Sequence, residues 1–485
     1  MRPVLIAAGL GAATVLGFAP FEIFLLPLVT LAWLFHLWRR AATPRAAAGL
    51  GFCWGLGFFL TGVSWVYVSL HDVGGMAAAL AFVATILFCA YLASFPALAG
   101  WLAHRLCPAG FGRRALQTAG VWALTEWLRG WLLTGFPWLA IGYSATPPHP
   151  LAGFAPVLGI NGLNFFVALC AALLAAGLEN RRRLLVALAV IVVLGGTGQL
   201  LRGMDWTQPA GSPLKVSLLQ GNIPQSLKWV PENLSLSIDT YTELAQRHPA
   251  ALTLLPETAI PLFFDEMPQL VLNGLTRHGD ALFGIAIRHR EGGYVNGAVA
   301  LTTEGVQSYA KRHLVPFGEY VPPGFAWFFG LVEIPMSDFS AGPKQQRPLE
   351  IAGQKIAPTI CYEDLFGAEL LAFLPEATLL VNLSNTAWFG DSLAQPQHLQ
   401  ISRLRALETG RMMLRATNTG ITAAIAPDGR VVGSLPPFTR GALVVEAQGF
   451  AGATPYMRWG DALALMLAIG AVLPAFLAAW RRQSR

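Results

Sequence analysis

The chain has 485 residues, enough for two or three domains. Hydrophobic residues make up 54% and charged residues only 12%, about half the charged share of a soluble domain, so much of the chain faces something other than water. The net charge of +6 comes from arginines in short clusters between apolar runs rather than from one basic face, so it does not by itself point to a nucleic-acid reader.

A bilayer core about 30 Å thick takes roughly 20 apolar helical residues to cross. Apolar runs predict spans over residues 4–18, 21–38, 47–70, 76–102, 115–133, 154–178 and 184–201, and a last one over 461–480. The first two are short and meet at Ala19-Pro20. Arginines cluster in alternate connections: Arg39, Arg40 and Arg45; Arg105, Arg113 and Arg114; Arg181, Arg182 and Arg183; and Arg481, Arg482 and Arg485 at the end. The other connections, at Ala19-Pro20, 71–75 and 135–153, carry neither Lys nor Arg. Arginine-rich loops stay in the cytoplasm, so both termini are expected inside and the polar stretch outside. The first run, beginning Met1-Arg2, also fits a cleaved signal peptide, but later spans would make it redundant and cleavage would not move the large domain. The expected organisation is a membrane domain over 1–201, an extracytoplasmic domain over 202–460 and a closing helix with its tail over 461–485.

The polar stretch has a different texture. Short β-rich runs at 215–219, 251–255, 281–287, 295–301, 354–360, 378–383 and 421–426 are punctuated by Gly, Pro and Asn. A helical pattern over 397–409 intervenes. Strands mixed with helices predict a layered α/β domain.

Of five cysteines, Cys53, Cys89, Cys107 and Cys170 lie in or beside apolar segments, and no CxxC pair exists. That pattern gives no zinc or redox motif. Cys361 stands alone in the polar stretch. Three segments there place a reactive residue directly after a strand: Pro256-Glu257-Thr258, Ala310-Lys311-Arg312 and Ile360-Cys361-Tyr362. Together a thiol, a carboxylate and an ammonium make a nucleophile, its base and an electrophilic stabiliser. The N–H of Tyr362 adds a second oxyanion donor. Blander readings also fit: a lone Cys as a small buried apolar residue, Glu257 as a helix cap, and Lys311 with Arg312 as a solvated edge. An unpaired thiol outside the cytoplasm is an oxidation liability, which favours a chemical role.

The stretch 214–448 resembles the nitrilase, or carbon-nitrogen hydrolase, superfamily. The whole chain resembles its membrane-embedded branch, the apolipoprotein N-acyltransferase family. The likeness rests on Gln220-Gly221-Asn222-Ile223-Pro224-Gln225, Pro256-Glu257-Thr258-Ala259, the run from Lys311 through Pro316-Phe317-Gly318-Glu319-Tyr320, Cys361-Tyr362-Glu363 and Asn385-Thr386-Ala387-Trp388-Phe389-Gly390. It implies an α-helical membrane domain of about eight transmembrane helices joined to an α-β-β-α sandwich. Glu257 corresponds to the general base, Lys311 to the oxyanion-stabilising lysine and Cys361 to the nucleophile. Glu319 and Glu363 match supporting acids; Trp229, Asn296, Tyr362 and Trp388 match positions near the substrates. Thr386 stands where relatives often carry Asp.

The implied reaction moves a fatty acyl chain from a membrane phospholipid, phosphatidylethanolamine being the expected donor, to the α-amino group of an apolipoprotein's N-terminal diacylglyceryl-cysteine. The implied place is the bacterial inner membrane, with the catalytic domain on the periplasmic side. No metal, organic cofactor or nucleic acid is expected. A membrane-anchored amidase or nitrilase shares the triad but has no use for eight spans; a transporter or scaffold has no use for the triad.

Two features stay open at this level. The apolar loop 321–331, with Phe325, Trp327, Phe328 and Phe329, and the run Leu262-Phe263-Phe264 after Glu257 fit either a membrane-dipping acyl groove or ordinary core packing. Glu126 and Arg129, three apart in one span, either pair on one helical face or leave Arg129 to snorkel to the interface.

Overall fold

The computed structural model describes residues 2–108, 110–228, 230–289, 292–325 and 338–483. The chain divides into two compact units. One comprises Met1–Tyr67, Ala79–Met204 and Arg458–Arg485; the other comprises Val68–Ala78 and Asp205–Met457.

In the first unit a helix occupies each of the eight apolar runs: Arg2–Thr14, Leu26–Arg40, Pro44–Gly62, Ala78–Arg105, Phe111–Arg129, Ala155–Gly177, Arg181–Arg202 and Ala462–Gln483. Helix starts follow local chemistry. Thr43 Oγ1 accepts from the Ala46 N–H ahead of Pro44, and Asn180 Oδ1 accepts from the Arg182 N–H, each satisfying an orphan donor of a first turn. Four stretches among the described residues are long and apolar enough to cross a bilayer: Ala78–Arg105, Pro150–Gly177, Arg181–Arg202 and Ala462–Arg481. A fifth joins them if Pro44–Gly62 and Val66–Val73, bent by 58°, count as one broken span. The others fall short for plain reasons. Arg2–Gly17 is apolar but short, Leu26–Arg40 has 15 residues, and Phe111–Arg129 contains Arg113, Arg114, Glu126 and Arg129. The first and third helices approach closely: a Cβ on Gly11 would lie 1.9 Å from the Trp54 carbonyl oxygen, and one on Gly57 would lie 2.1 Å from that of Ala8. Small residues on both sides permit this backbone contact.

Arg129 does not snorkel. It is fully buried, donates to Glu126 Oε2 at 2.7 Å and to the carbonyls of Trp138 (2.9 Å) and Phe136, and lies 5.3 Å from the Phe59 ring centre. The guanidinium thus pins the loop after its own helix to the helix end. Removing one member of a buried pair strands the other charge. Arg129→Met is therefore expected to cost about 3–5 kcal/mol, read as a lowered melting temperature in detergent. Adding Glu126→Leu should recover part of the loss; a neutral single variant would contradict the pinning role.

Among the described residues of the second unit, twelve strands form two six-stranded sheets. They are β1 (Thr207–Gln220), β2 (Leu252–Leu255), β3 (Asp280–Arg288), β4 (Tyr294–Thr302), β5 (Gly305–Ala310), β6 (Leu349–Ile351), β7 (Gln354–Ile360), β8 (Leu379–Ser384), β9 (Met412–Thr417), β10 (Thr422–Ile425), β11 (Val431–Leu435) and β12 (Gly441–Gly452). One sheet runs β12-β1-β2-β3-β4-β5 and the other β11-β10-β9-β8-β7-β6. The seven runs read from the sequence all lie on strands, although residues 251, 378, 421 and 426 fall just outside them.

Alternation along the strands builds the layers. Val216, Leu218, Leu254 and Leu282 of the first sheet share a core with Ile356, Val381, Leu383, Leu414 and Ala424 of the second. On the first sheet's other face, Leu219, Leu255, Phe283 and Ile285 pack with Tyr241 and Leu244 of helix Leu234–Arg247 and with Val271 and Leu275 of helix Gln269–Leu275. Helix Ala394–Thr409 packs against β9 of the second sheet through His398 and Ser402, which bond Arg415. The order is helix, sheet, sheet, helix. Leu262 and Phe264 pack against the helix-side core of the first sheet, so for them the core-packing reading holds.

Candidate active site

The site gathers at strand ends. Pro256 and Glu257 follow β2, Lys311 follows β5, Cys361 follows β7 and Asn385 follows β8. Beside Glu257 the backbone of β3 comes so near that a Cβ on Gly284 would lie 2.4 Å from the Glu257 Cα; only glycine admits this approach.

Glu257, Lys311 and Glu319 are buried together. Lys311 Nζ donates to Glu319 Oε1 at 2.8 Å and to Glu257 Oε1 at 3.3 Å. Asn296, on β4, donates through one amide nitrogen to the same two oxygens, at 2.7 Å to Glu257 and 2.6 Å to Glu319. The second oxygen of Glu257 accepts from the Asn385 N–H at 2.9 Å, and that of Glu319 from the Val315 N–H at 2.8 Å. Two carboxylates are therefore held side by side by one ammonium and one amide.

Burial sets the charge states. Burial alone would lower the Lys311 ammonium, but Glu257 and Glu319 hold it well above the ordinary lysine range. Burial pushes the Glu257 carboxyl up, and Lys311, Asn296 and the Asn385 N–H outweigh it, leaving the group ionised. The Cys361 thiol is raised, first by burial and then by Glu257, against the downward pull of Lys311 and Arg415. The resting site thus holds a neutral thiol, an anionic carboxylate and a cationic ammonium. Such a thiol needs a base at the moment of attack.

Cys361 itself has φ +52, a left-handed conformation for a side-chain-bearing residue. Strain of this kind persists where the surroundings over-determine it. Glu363 helps to do so. Its Oε2 accepts from the Ile360 N–H at 2.7 Å, while Oε1 accepts from the Tyr309 hydroxyl (2.7 Å) and the N–H groups of Arg312 (2.7 Å) and His313 (3.1 Å). One carboxylate ties the cysteine's turn in the second sheet to the residues beside Lys311 in the first.

Of the other positions implied by the resemblance, Tyr362 is buried with its ring 5.2 Å from Phe366. Trp388 is half-buried and its carbonyl accepts from Ser69 Oγ at 2.7 Å. Ser69 belongs to Val68–Ala78, which is part of this same unit. Thr386 is fully buried, and its carbonyl accepts from Gln395 Nε2 at 3.0 Å. Trp229, Trp327, Phe328 and Phe329 lie outside the described residues. The described start of that loop exposes Val321 and Phe325.

Sequence reasoning assigns no role to two groups beside the triad, Asn385, which it names only as part of a motif, and Lys228. Asn385 donates through Nδ2 to Gln225 at 2.8 Å and accepts from Asn418 at 3.2 Å, which fixes the donor to Glu257. Lys228 is buried, with Nζ 3.4 Å from the Glu257 carbonyl. Burial lowers its ammonium to about 8, partly offset by Glu257. Between about pH 8 and the ordinary 10.5 the folded chain binds fewer protons here than the unfolded chain, so stability from this group rises with pH. Below about 8 the buried charge costs its full penalty. Lys228→Met should therefore melt higher than the unsubstituted protein by a few degrees at pH 7, the gap closing as pH rises through 10.5. A gap independent of pH would show that desolvation of this ammonium is not its source.

Comparison with known proteins follows this geometry. Residues 10–173 match the family described as apolipoprotein N-acyltransferase N-terminal domain, and residues 215–456 match carbon-nitrogen hydrolase. An apolipoprotein N-acyltransferase of Nitrosomonas europaea is 52% identical over 97% of this chain and 96% of its own length. One from Chromobacterium violaceum is 48% identical over 99% and 95%. Among solved structures, an amidase of the nitrilase superfamily from Nesterenkonia is 20% identical over 52% of this chain and 95% of its own, at a TM-score of 0.37. With both halves matched and relatives this similar from end to end, the chain belongs to the apolipoprotein N-acyltransferase family, and its second unit is a carbon-nitrogen hydrolase domain.

Proposed function

We propose that this chain acylates the α-amino group of an apolipoprotein's N-terminal diacylglyceryl-cysteine, taking the acyl chain from a membrane phospholipid, phosphatidylethanolamine in particular, through a thioester on Cys361. The observation that carries the reading is a neutral buried thiol grouped with an ionised Glu257 and a Lys311 ammonium.

Glu257 takes the thiol proton as sulfur attacks the ester carbonyl. Lys311 and the Tyr362 N–H stabilise the oxyanion. The carbonyl–oxygen bond to glycerol breaks, Glu257 returns its proton to the leaving alkoxide, and a lysophospholipid departs. In the second half the amine attacks the thioester, Glu257 takes a proton from nitrogen, and the thiolate leaves and is reprotonated. The new bond is an amide. Asn296 and Glu319 hold Glu257 and Lys311 in register; Glu363 holds the cysteine's turn; Trp229, Tyr362 and Trp388 border the substrates.

The same reading puts all eight helices across a bacterial inner membrane, with domains over 1–201, 202–460 and 461–485 and the catalytic one on the periplasmic side. Arginines confined to alternate connections support this orientation. The test is mass spectrometry of purified protein incubated with phosphatidylethanolamine. One added acyl chain on the Cys361 peptide, discharged by a diacylglyceryl-cysteine peptide, is expected. A protein that cleaves small amides yet never carries an acyl chain from lipid would instead be an anchored amidase.

A further inference from the structure

Behind the nucleophile lies a buried polar cluster that the mechanism above does not use. Thr359 on β7, Asn382 on β8 and Arg415 on β9 stand in one row across three parallel strands. Helix Ala394–Thr409 lays His398 and Ser402, four residues apart, onto that row. Asp364 enters from the turn that begins at Cys361. Asp364, Asn382, His398, Ser402 and Arg415 are each 0–1% exposed.

The bonds leave little freedom. Arg415 Nη2 lies 2.9 Å from His398 Nδ1, and His398 Nε2 lies 2.8 Å from Asp364 Oδ1. A guanidinium only donates, so Nδ1 accepts, and the imidazole is neutral with its proton on Nε2, donated to Asp364. Ser402 Oγ donates to Asp364 Oδ2 at 2.5 Å. Arg415 Nη1 reaches Asn382 Oδ1 at 3.0 Å, and Asn382 Nδ2 donates to the Cys361 carbonyl at 3.1 Å. One anion and one cation balance, and the chain of donors ends on the backbone of the left-handed nucleophile.

That last bond matters for the peptide plane. The Cys361–Tyr362 peptide is trans, so fixing its C=O fixes its N–H on the opposite edge. That N–H is the oxyanion donor named above. We infer that Asn382, oriented by Arg415 and in turn by His398 and Asp364, is a positioning residue that aims the Tyr362 N–H at the oxyanion. The inference rests on acyl transfer at Cys361. Arg415 adds a supporting effect, since its charge favours the thiolate.

The test separates aiming from folding by using two reagents on the full chain in detergent. Iodoacetamide alkylates a thiol by displacing iodide and makes no oxyanion. p-Nitrophenyl butyrate acylates it through a tetrahedral intermediate that does. Asn382→Leu should lower Cys361 acylation by about 10²-fold, the cost of losing one oxyanion donor, and leave alkylation nearly unchanged. The pair His398→Leu and His398→Gln carries the same comparison should Asn382→Leu not fold. His398→Leu should lose acylation selectively. His398→Gln, which keeps a donor for Asp364 and an acceptor for Arg415, should restore most of it. Equal loss of both reactions, or loss of neither, overturns the positioning role. Unsubstituted protein that takes up no acyl group on Cys361 defeats the acyl-transfer reading instead.

Discussion

Cys361→Ser is expected to carry no acyl chain and to form no product. Burial and the neighbouring Glu257 already raise the thiol, and an alcohol in the same place is harder still to deprotonate. Glu257, held ionised by Lys311, Asn296 and the Asn385 N–H, is too weak a base for that task. Turnover should fall on the order of 10⁴-fold or more, as when a nucleophile is removed from a preformed site. Intact-mass measurement after incubation with phospholipid, beside product formation in micelles, reads this directly. A serine variant with a sizeable fraction of normal turnover would sink the assignment of the nucleophile.

Lys311→Met should be nearly as damaging, for two reasons that can be told apart. The ammonium lies between Glu257 and Glu319. Without it, two buried carboxylates share one Asn296 amide, and like charges so placed cannot both stay ionised. Glu257 loses the largest influence that holds it ionised, so the base is impaired along with the oxyanion's cation. Acyl-enzyme formation is expected to drop about 10³-fold, with a clear fall in melting temperature. Adding Glu319→Gln removes the repulsion and should return stability without returning rate. Lys311→Arg should not rescue, because a planar guanidinium cannot replace a compact ammonium at a site only 1% exposed. Near-normal acylation in Lys311→Met would exclude its part in the chemistry.

Much of this was legible in the sequence because its signals are local. Apolar length marks the helices, and the β-rich runs 251–255 and 354–360, which stop just before Pro256-Glu257 and Cys361, mark two of the strand ends. What is not local is which ends meet. Strand β9 escaped notice because Arg415 interrupts an apolar run and a lone arginine reads as surface. It is buried because Asp364, from a distant turn, meets it. The partial signal was the helix over 397–409, where His398 and Ser402 stand four apart and so share one face. The number of bilayer crossings is not fixed by composition alone: among the described residues four helices, or five with the bent pair, are long and apolar enough to cross. Apolarity does not reveal that Val66–Val73 bends away from its neighbour by 58°.

The division of the chemistry between two sheets bears on how the polypeptide can be cut. Glu257 and Lys311 ride on one sheet and Cys361 on the other, so scission between β5 and β6 puts base and thiol on separate fragments. Neither fragment then holds an activated cysteine. The later fragment also carries β12, whose place is beside β1 in the earlier one, paired from Thr207↔Gly452 to Gln220↔Gly441. Rejoining therefore demands that β12 add to the edge of the first sheet in its own register, bulge included, which a loose encounter does not provide. Two inert pieces that regain thiol reactivity only when laced together in this way are the working parts of a split sensor.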